Sequence, residues 1–169
     1  MNDTDHFERL GLPRRFLLDG AEVERQYLAR SRALHPDFHQ LGASGEQSAS
    51  LEMTARLNEA YATLREPFKR AEYLLMLEGG PTAGEQKEMP PEFLEEILEL
   101  RMAIAELEDP ASKAAMEQKL KSRRQAMLDE VAADFVKLES GGDRAALLKS
   151  LRRKLNALKY VHNLLRDLQ

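Results

Sequence analysis

Cysteine and tryptophan are both absent from the 169 residues. Without a thiol there is no disulfide, no thiolate zinc site, no cysteine-ligated iron–sulfur cluster and no cysteine nucleophile. Long apolar runs are missing too. None approaches the roughly 18 residues of a membrane span, and the start Met-Asn-Asp-Thr-Asp lacks the basic and apolar regions of a signal peptide. A cytoplasmic chain with no membrane partner is expected. Glycine-rich phosphate loops are lacking, because Gly79-Gly80 and Gly141-Gly142 have no strand–glycine–helix context. No serine or lysine is placed as a nucleophile by a recognisable motif. Positive charge is not in excess either: the net charge is -4, which argues against general nucleic-acid binding. The basic clusters Lys119, Lys121, Arg123, Arg124 and Arg152-Arg153-Lys154 lie within acidic, amphipathic helical patterns, with no aromatic residues interleaved for base stacking. His35, Asp37 and His39 offer metal-ligand and acid–base chemistry, but the two histidines share a side only in a helix, which Pro36 forbids. Neither an enzyme nor a resident cofactor or metal is expected.

What is present is helix-forming. Leu, Ala, Glu, Lys and Arg dominate, with 43% hydrophobic and 32% charged residues and only 6% aromatic, so the expectation is all-α. The length suits one compact domain or two small ones. Phe7, Leu10, Leu12 and Leu17 form a first apolar cluster around the turn Gly11-Leu12-Pro13, a short helix from about Asp5 that cannot stand alone. Asp19-Gly-Ala-Glu22 matches a capping box, with the glutamate reaching back. A helix runs from there through Leu34. At 100° per residue its stripe of Val23, Tyr27 and Leu34 is core, and Arg25 and Arg32 point the opposite way, to solvent. Arg30 is the misfit, projecting near the middle of the apolar stripe, where it must snorkel or find an acidic partner. The turn Leu34-His35-Pro36-Asp37 closes this helix, since the residue before a proline is driven out of the α region. His35 and Asp37 then stand on a loop, free to touch a partner.

Beyond the loop, Ser44-Gly-Glu-Gln47 offers a second cap, for a helix to about Arg65 with Leu51, Ala55, Leu57, Ala60, Tyr61 and Leu64 at helical spacing. The two helices form an antiparallel hairpin. Pro67 suits the first turn of a helix over 68–77 that stops at Gly79-Gly80. Gly79 to Pro91, with three glycines and three prolines, reads as a linker. Three longer helices come next, at about 91–107, 111–138 and 143–168, with turns at Pro110 and Gly141-Gly142. Leu120, Met127, Leu128, Val131, Phe135 and Leu138 on the middle one face Leu147, Leu151, Leu155, Leu158 and Leu165 on the last, as in a bundle. His162 falls on that last stripe, and His6 reads as a surface residue. The first of the three carries two apolar faces. Phe93, Ile97, Leu100, Ile104 and Leu107 supply the core, while Leu94, Leu98, Met102 and Ala105 form a second stripe bordered by Glu95, Glu99 and Glu106. Tyr160 points away from the leucine stripe of the last helix and is free to join an outer surface.

These elements carry a resemblance. Residues 1–79 look like a J-domain, the module with which co-chaperones engage a DnaK-class ATPase chaperone: Tyr27 stands eight residues before His35-Pro36-Asp37, and Leu57-Asn58-Glu59-Ala60-Tyr61 leads to Leu64, Pro67 and Arg70-Ala71-Glu72-Tyr73. The continuation Leu74-Leu75-Met76-Leu77-Glu78-Gly79 resembles the HscB subfamily, the J-type co-chaperones of iron–sulfur cluster assembly, as do Phe93-Leu94 and Leu98-Glu99-Leu100-Arg101. The departures are Arg30 where an apolar residue is usual, Phe38 in place of a lysine, and no amino-terminal cysteine zinc segment, which suggests a bacterial-type member. The resemblance implies an L-shaped, two-domain, all-α protein: a J-domain at 1–79, a linker at 80–90 and a three-helix client-binding domain at 91–169. It implies a co-chaperone that stimulates the ATPase of a DnaK/HscA-class chaperone and delivers the iron–sulfur cluster scaffold protein to it. His35, Pro36, Asp37, Arg25 and Arg32 would meet the chaperone, with Asp37 pairing to an arginine and the basic face to an acidic surface. Leu94, Glu95, Leu98, Glu99, Met102, Glu106 and Tyr160 would meet the scaffold. The alternatives are a general J-protein serving other clients, and a structural helical adaptor without chaperone activity.

Overall fold

The computed structural model describes residues 3–34 and 44–169, with side chains from residue 47 onward in the second stretch. All regular structure among these residues is helical: α1 (His6–Arg9), α2 (Gly20–Ala33), α3 (Ser44–Leu64), α4 (Pro67–Leu77), α5 (Pro91–Ala105), α6 (Pro110–Glu139) and α7 (Arg144–Asp167). None of these helices is long and apolar enough to cross a membrane. The chain divides into two compact units, Met1–Leu74 and Leu75–Gln169.

In the first unit α1 and α2 both pack on α3. Asp5 caps α1 by accepting from Glu8 N at 2.9 Å, and the chain then turns at Gly11, whose φ of 64° suits a residue without Cβ. Phe7, Leu10 and Leu12 are buried, as their apolar character requires. Leu17 is not: it is exposed, and Phe16 fills the core instead. Asp19 caps α2 through Ala21 N at 3.0 Å. The return arm of the expected capping box is absent, because the Glu22 oxygens accept from Gln26 and Arg25 along the helix. The side-chain bonds order α2 and α3 as an antiparallel pair. Tyr27 Oη donates to Asn58 Oδ1 at 2.8 Å midway along α2, and Ser50 Oγ reaches Leu34 O at 3.4 Å at its end. Leu57, Ala60 and Leu64 face inward, whereas Leu51 and Ala55, assigned to the same stripe by spacing, are exposed. The stripe on α3 is therefore used only in its second half.

Two arginines are held inside this unit. Arg30 finds no carboxylate among the described residues. Its Nη1 donates to Gln26 Oε1 at 2.5 Å, and its guanidinium lies over Gly11, where a Cβ would stand 2.9 Å from Cζ. A misfit in the α2 stripe is thus seated on a turn that only glycine leaves open. Arg70, 6% exposed, donates Nη1 to Leu64 O at 2.7 Å and stands 5.2 Å from the Phe16 ring centroid. Burial holds this guanidinium below its ordinary pKa.

The second unit begins at the end of α4. Gly80 N donates to Leu75 O at 2.9 Å and Gly79 N to Met76 O at 3.0 Å, with Gly79 at φ 79°, which is the Schellman stop that a glycine pair signals. The same bonds recur after α6, from Gly142 N to Lys137 O and from Gly141 N to Leu138 O. Asp109 and Asp143 cap α6 and α7. The core lies mainly between α6 and α7, where Leu120, Met127, Leu128, Val131 and Phe135 meet Leu151, Leu155, Leu158, Val161 and Leu165. Asp134, buried at 4% exposure, accepts from Ser150 Oγ and Lys154 Nζ at 2.7 Å each, so this buried carboxylate is paired. On its inner side α5 adds Phe93, Ile97 and Leu100 to the core. Glu96 ties α5 to α6 through both oxygens, accepting from Arg123 Nε at 2.6 Å and Nη2 at 2.9 Å. α5 ends at Ala105, two residues short of expectation, in a tightened turn that leaves Leu107 half-buried.

Candidate functional site

On the first unit the basic face stands where periodicity puts it. Arg25 and Arg32 are exposed on α2, opposite the buried Val23. Arg25 is paired with Glu22, and the bonds from Gln26 and Arg25 hold the Glu22 carboxyl below its usual range. His35, Pro36 and Asp37 lie outside the described residues, as do Phe38 and His39. Flanking them in sequence is a stack that spacing alone assigns to the core. The Tyr27 and Tyr61 rings lie 4.0 Å apart and nearly parallel, with Arg65 Cζ 5.3 Å from the Tyr61 centroid, and both tyrosines are half-buried. Stack and Tyr27–Asn58 bond together fix the pairing of α2 with α3. His6, read as a surface residue, is half-buried instead: its ring stacks on Tyr73 at 4.3 Å and its backbone N donates to Tyr73 Oη at 3.0 Å.

On the second unit the outer stripe of α5 is open. Leu94, Leu98 and Met102 are 52%, 62% and 64% exposed, and Glu95, Glu99, Ala105 and Glu106 are exposed around them. Isolated apolar side chains on a surface mean little, but a continuous stripe with an acidic rim has the composition of a docking surface. Tyr160, at the margin of exposure on α7, joins this surface through a contact that periodicity does not show. Arg101 Cζ of α5 stands 5.9 Å from its ring centroid, within the range of a cation–π contact. Arg101, which the sequence presents only as part of a motif, is thus a member of this surface that the set of expected docking residues left out. Its signal was available, since at 100° per residue it projects within about 20° of Leu94.

Five members of the basic clusters of the back half have structural partners instead. Lys121 pairs with Glu117, Arg123 with Glu96, Arg153 with Glu88 and Lys154 with Asp134, while Arg152 is buried and donates to Asn156. His162 is half-buried on α7.

Comparison with known proteins assigns both units. Residues 5–73 match the model of the DnaJ domain, and residues 89–169 that of the HSCB C-terminal oligomerisation domain. The crystal structure of the human co-chaperone protein HscB is similar at 26% identity and a TM-score of 0.84, covering 99% of this chain and 82% of that one. The chaperone HscB of Vibrio cholerae is 28% identical with a TM-score of 0.76, covering 97% and 94%. The Jac1 co-chaperone of Saccharomyces cerevisiae shares the fold at 20% identity, with a TM-score of 0.74 over 99% and 94%. With a DnaJ domain in front, an HscB carboxy-terminal domain behind and the HscB fold across nearly its full length, the chain belongs to the HscB-type J-domain co-chaperones.

Proposed function

We propose that this protein, a co-chaperone of iron–sulfur cluster assembly that works with an Hsp70-class chaperone, delivers the scaffold protein on which clusters are built to a DnaK/HscA-class ATPase in the cytoplasm. The observation that carries the client half is the open stripe Leu94, Leu98, Met102 with its acidic rim and Tyr160 beside it. It sits in the part of the chain that matches the HscB carboxy-terminal model, and its chemistry suits a partner with an apolar patch and basic surroundings.

In this reading the protein carries out no bond chemistry. It accelerates hydrolysis by binding the hydrolysis-competent state of the chaperone more tightly than its other states, since only differential affinity shifts an equilibrium. His35, Pro36 and Asp37 make that discriminating contact, with Asp37 pairing to a chaperone arginine. Arg25 and Arg32, exposed on α2, bring an acidic surface of the chaperone to them. The scaffold, held on α5 and α7, is thereby presented as the ATPase is switched.

Phosphate release from a DnaK-class chaperone, measured with this protein alone and with the scaffold added, tests both halves. The parent should raise the rate, and raise it further with scaffold. His35→Gln and Asp37→Asn, made singly, should abolish stimulation with thermal unfolding nearly unchanged, because polar substitutions of this kind away from a core cost little stability. Full stimulation by either variant would defeat the mechanism.

A further inference from the structure

The segment between α4 and α5 has the composition of a tether, yet it is bound along α7. At its start Arg144 Nη2 donates to the Glu78 carbonyl and, at 3.1 Å, to the Glu78 carboxylate. Next comes a local turn, in which Thr82 N donates to Glu85 Oε2 at 2.8 Å and Gln86 N to Thr82 O at 3.0 Å. At its end stands Asn156. This side chain, 9% exposed, directs Nδ2 to Gln86 O and Glu88 O at 2.9 Å each, so both amide hydrogens are used. Its Oδ1 accepts from Arg152 Nε at 2.9 Å, and Arg152 is itself 2% exposed. A buried cation therefore fixes which way the amide points, and the amide fixes two carbonyls on alternate residues of the strap. Arg153 adds an outer contact to Glu88 Oε2 at 2.9 Å.

The clamp holds the approach to a helix. α5 begins immediately after the strap at Pro91, with Pro90 in the capping position and no side-chain cap bond. A helix start without a cap of its own takes its position from the incoming chain. Leu94 lies in the first turn of that helix, and Tyr160 is one turn along α7 from Asn156. One side chain thus ties the entry of α5 to the part of α7 that carries Tyr160.

We propose that Asn156, oriented by Arg152, is a positioning residue for the scaffold-docking surface: by clamping Gln86 and Glu88 it sets where Leu94 and Leu98 stand relative to Tyr160. The proposal rests on the reading that this surface binds the scaffold. Loosening the clamp should then weaken docking although none of the residues changed belongs to the open stripe.

The test uses the full-length protein. Asn156→Asp keeps the shape but turns two donors into acceptors against two carbonyls. Gln86→Gly/Glu88→Gly loosens the strap from its own side and leaves α7 intact, which covers the case in which the first variant folds poorly. Ser150→Ala is the control, removing one bond to Asp134 in the α6–α7 interface, a bond that does not involve the strap. Amide exchange across 84–94, thermal unfolding and scaffold affinity by calorimetry are read for each. Both strap variants should speed exchange through the strap and the first turn of α5 and raise the scaffold Kd roughly ten-fold or more. Ser150→Ala should lower the melting temperature and leave Kd unchanged. Parent-like affinity in the strap variants, or affinity that merely follows melting temperature across all three, overturns the positioning role. A parent protein that does not bind the scaffold at all defeats the docking reading itself, and the proposal with it.

Discussion

Truncating the open stripe at three points, as Leu94→Ala/Leu98→Ala/Tyr160→Ala, separates docking from folding by magnitude. Each leucine loses three carbons, and a fully buried CH2 contributes about 0.8 kcal/mol. In the free protein these side chains are 52% and 62% exposed, so a little over half of that value is still to be gained on docking, or roughly 1.2–1.5 kcal/mol per leucine. Removing the Tyr160 ring, still 37% exposed in the free protein, takes away about 0.5–1 kcal/mol more of the apolar burial gained on docking. Scaffold affinity should therefore fall roughly 300-fold. The cost to the fold is smaller, below about 1 kcal/mol per site, because little is buried there to lose. Leu100→Ala is the counterpart on the inner face of the same helix. At 6% exposure it should lose about 2–5 kcal/mol of stability, lowering the melting temperature of this unit by roughly 10 °C or more. Calorimetry with the scaffold, thermal unfolding, and phosphate release with the chaperone alone read the three quantities apart. If the triple variant melts early yet still binds the scaffold, the outer stripe is core and the reasoning fails.

The first unit yields three further expected outcomes. Arg25→Glu/Arg32→Glu should slow association with the chaperone at low salt, with an effect that shrinks as salt is raised; normal association by surface plasmon resonance at low salt would return both arginines to plain solvation. Gly11→Ala should cost about 1–2 kcal/mol in denaturant unfolding, with displacement of Arg30 added, since φ is 64° and the guanidinium occupies the Cβ position; an unchanged midpoint would refute the Arg30–Gly11 fit. Burial lowers the His6 pKa below its ordinary 6.5, so between the folded and unfolded values the unfolded chain binds more protons. Stability should then be intact above about pH 6.5 and decline as pH falls through the folded pKa. His6→Asn should flatten that part of a denaturation-versus-pH profile, and an identical decline in the variant would clear His6 of it.

Signals that act within a few residues were legible in the chain. Asp19 and the Gly79-Gly80 and Gly141-Gly142 pairs mark helix ends by satisfying backbone groups one turn away, and the two-faced pattern of 91–105 survives in the structure as a buried and an open side. Even so, local rules misassign residues wherever two arrangements satisfy them equally. Leu17 and Phe16 are both apolar beside a turn, and only the room under α4, which Phe16 shares with Arg70, decides between them. Leu51 and Ala55 keep the period of α3, but a stripe is buried only where another element covers it.

By itself, then, the sequence determined the helices, their stops, the exposed basic face of α2 and the apolar stripe of α5, because caps, breakers and periodicity are properties of neighbouring residues. Tertiary structure alone decided the polar partnerships. Arg30 sits on Gly11, Arg101 beside Tyr160, and Asn156 on carbonyls 68 and 70 residues away. A buried donor must find an acceptor wherever the folded chain offers one, and no spacing within a helix states which distant backbone that will be.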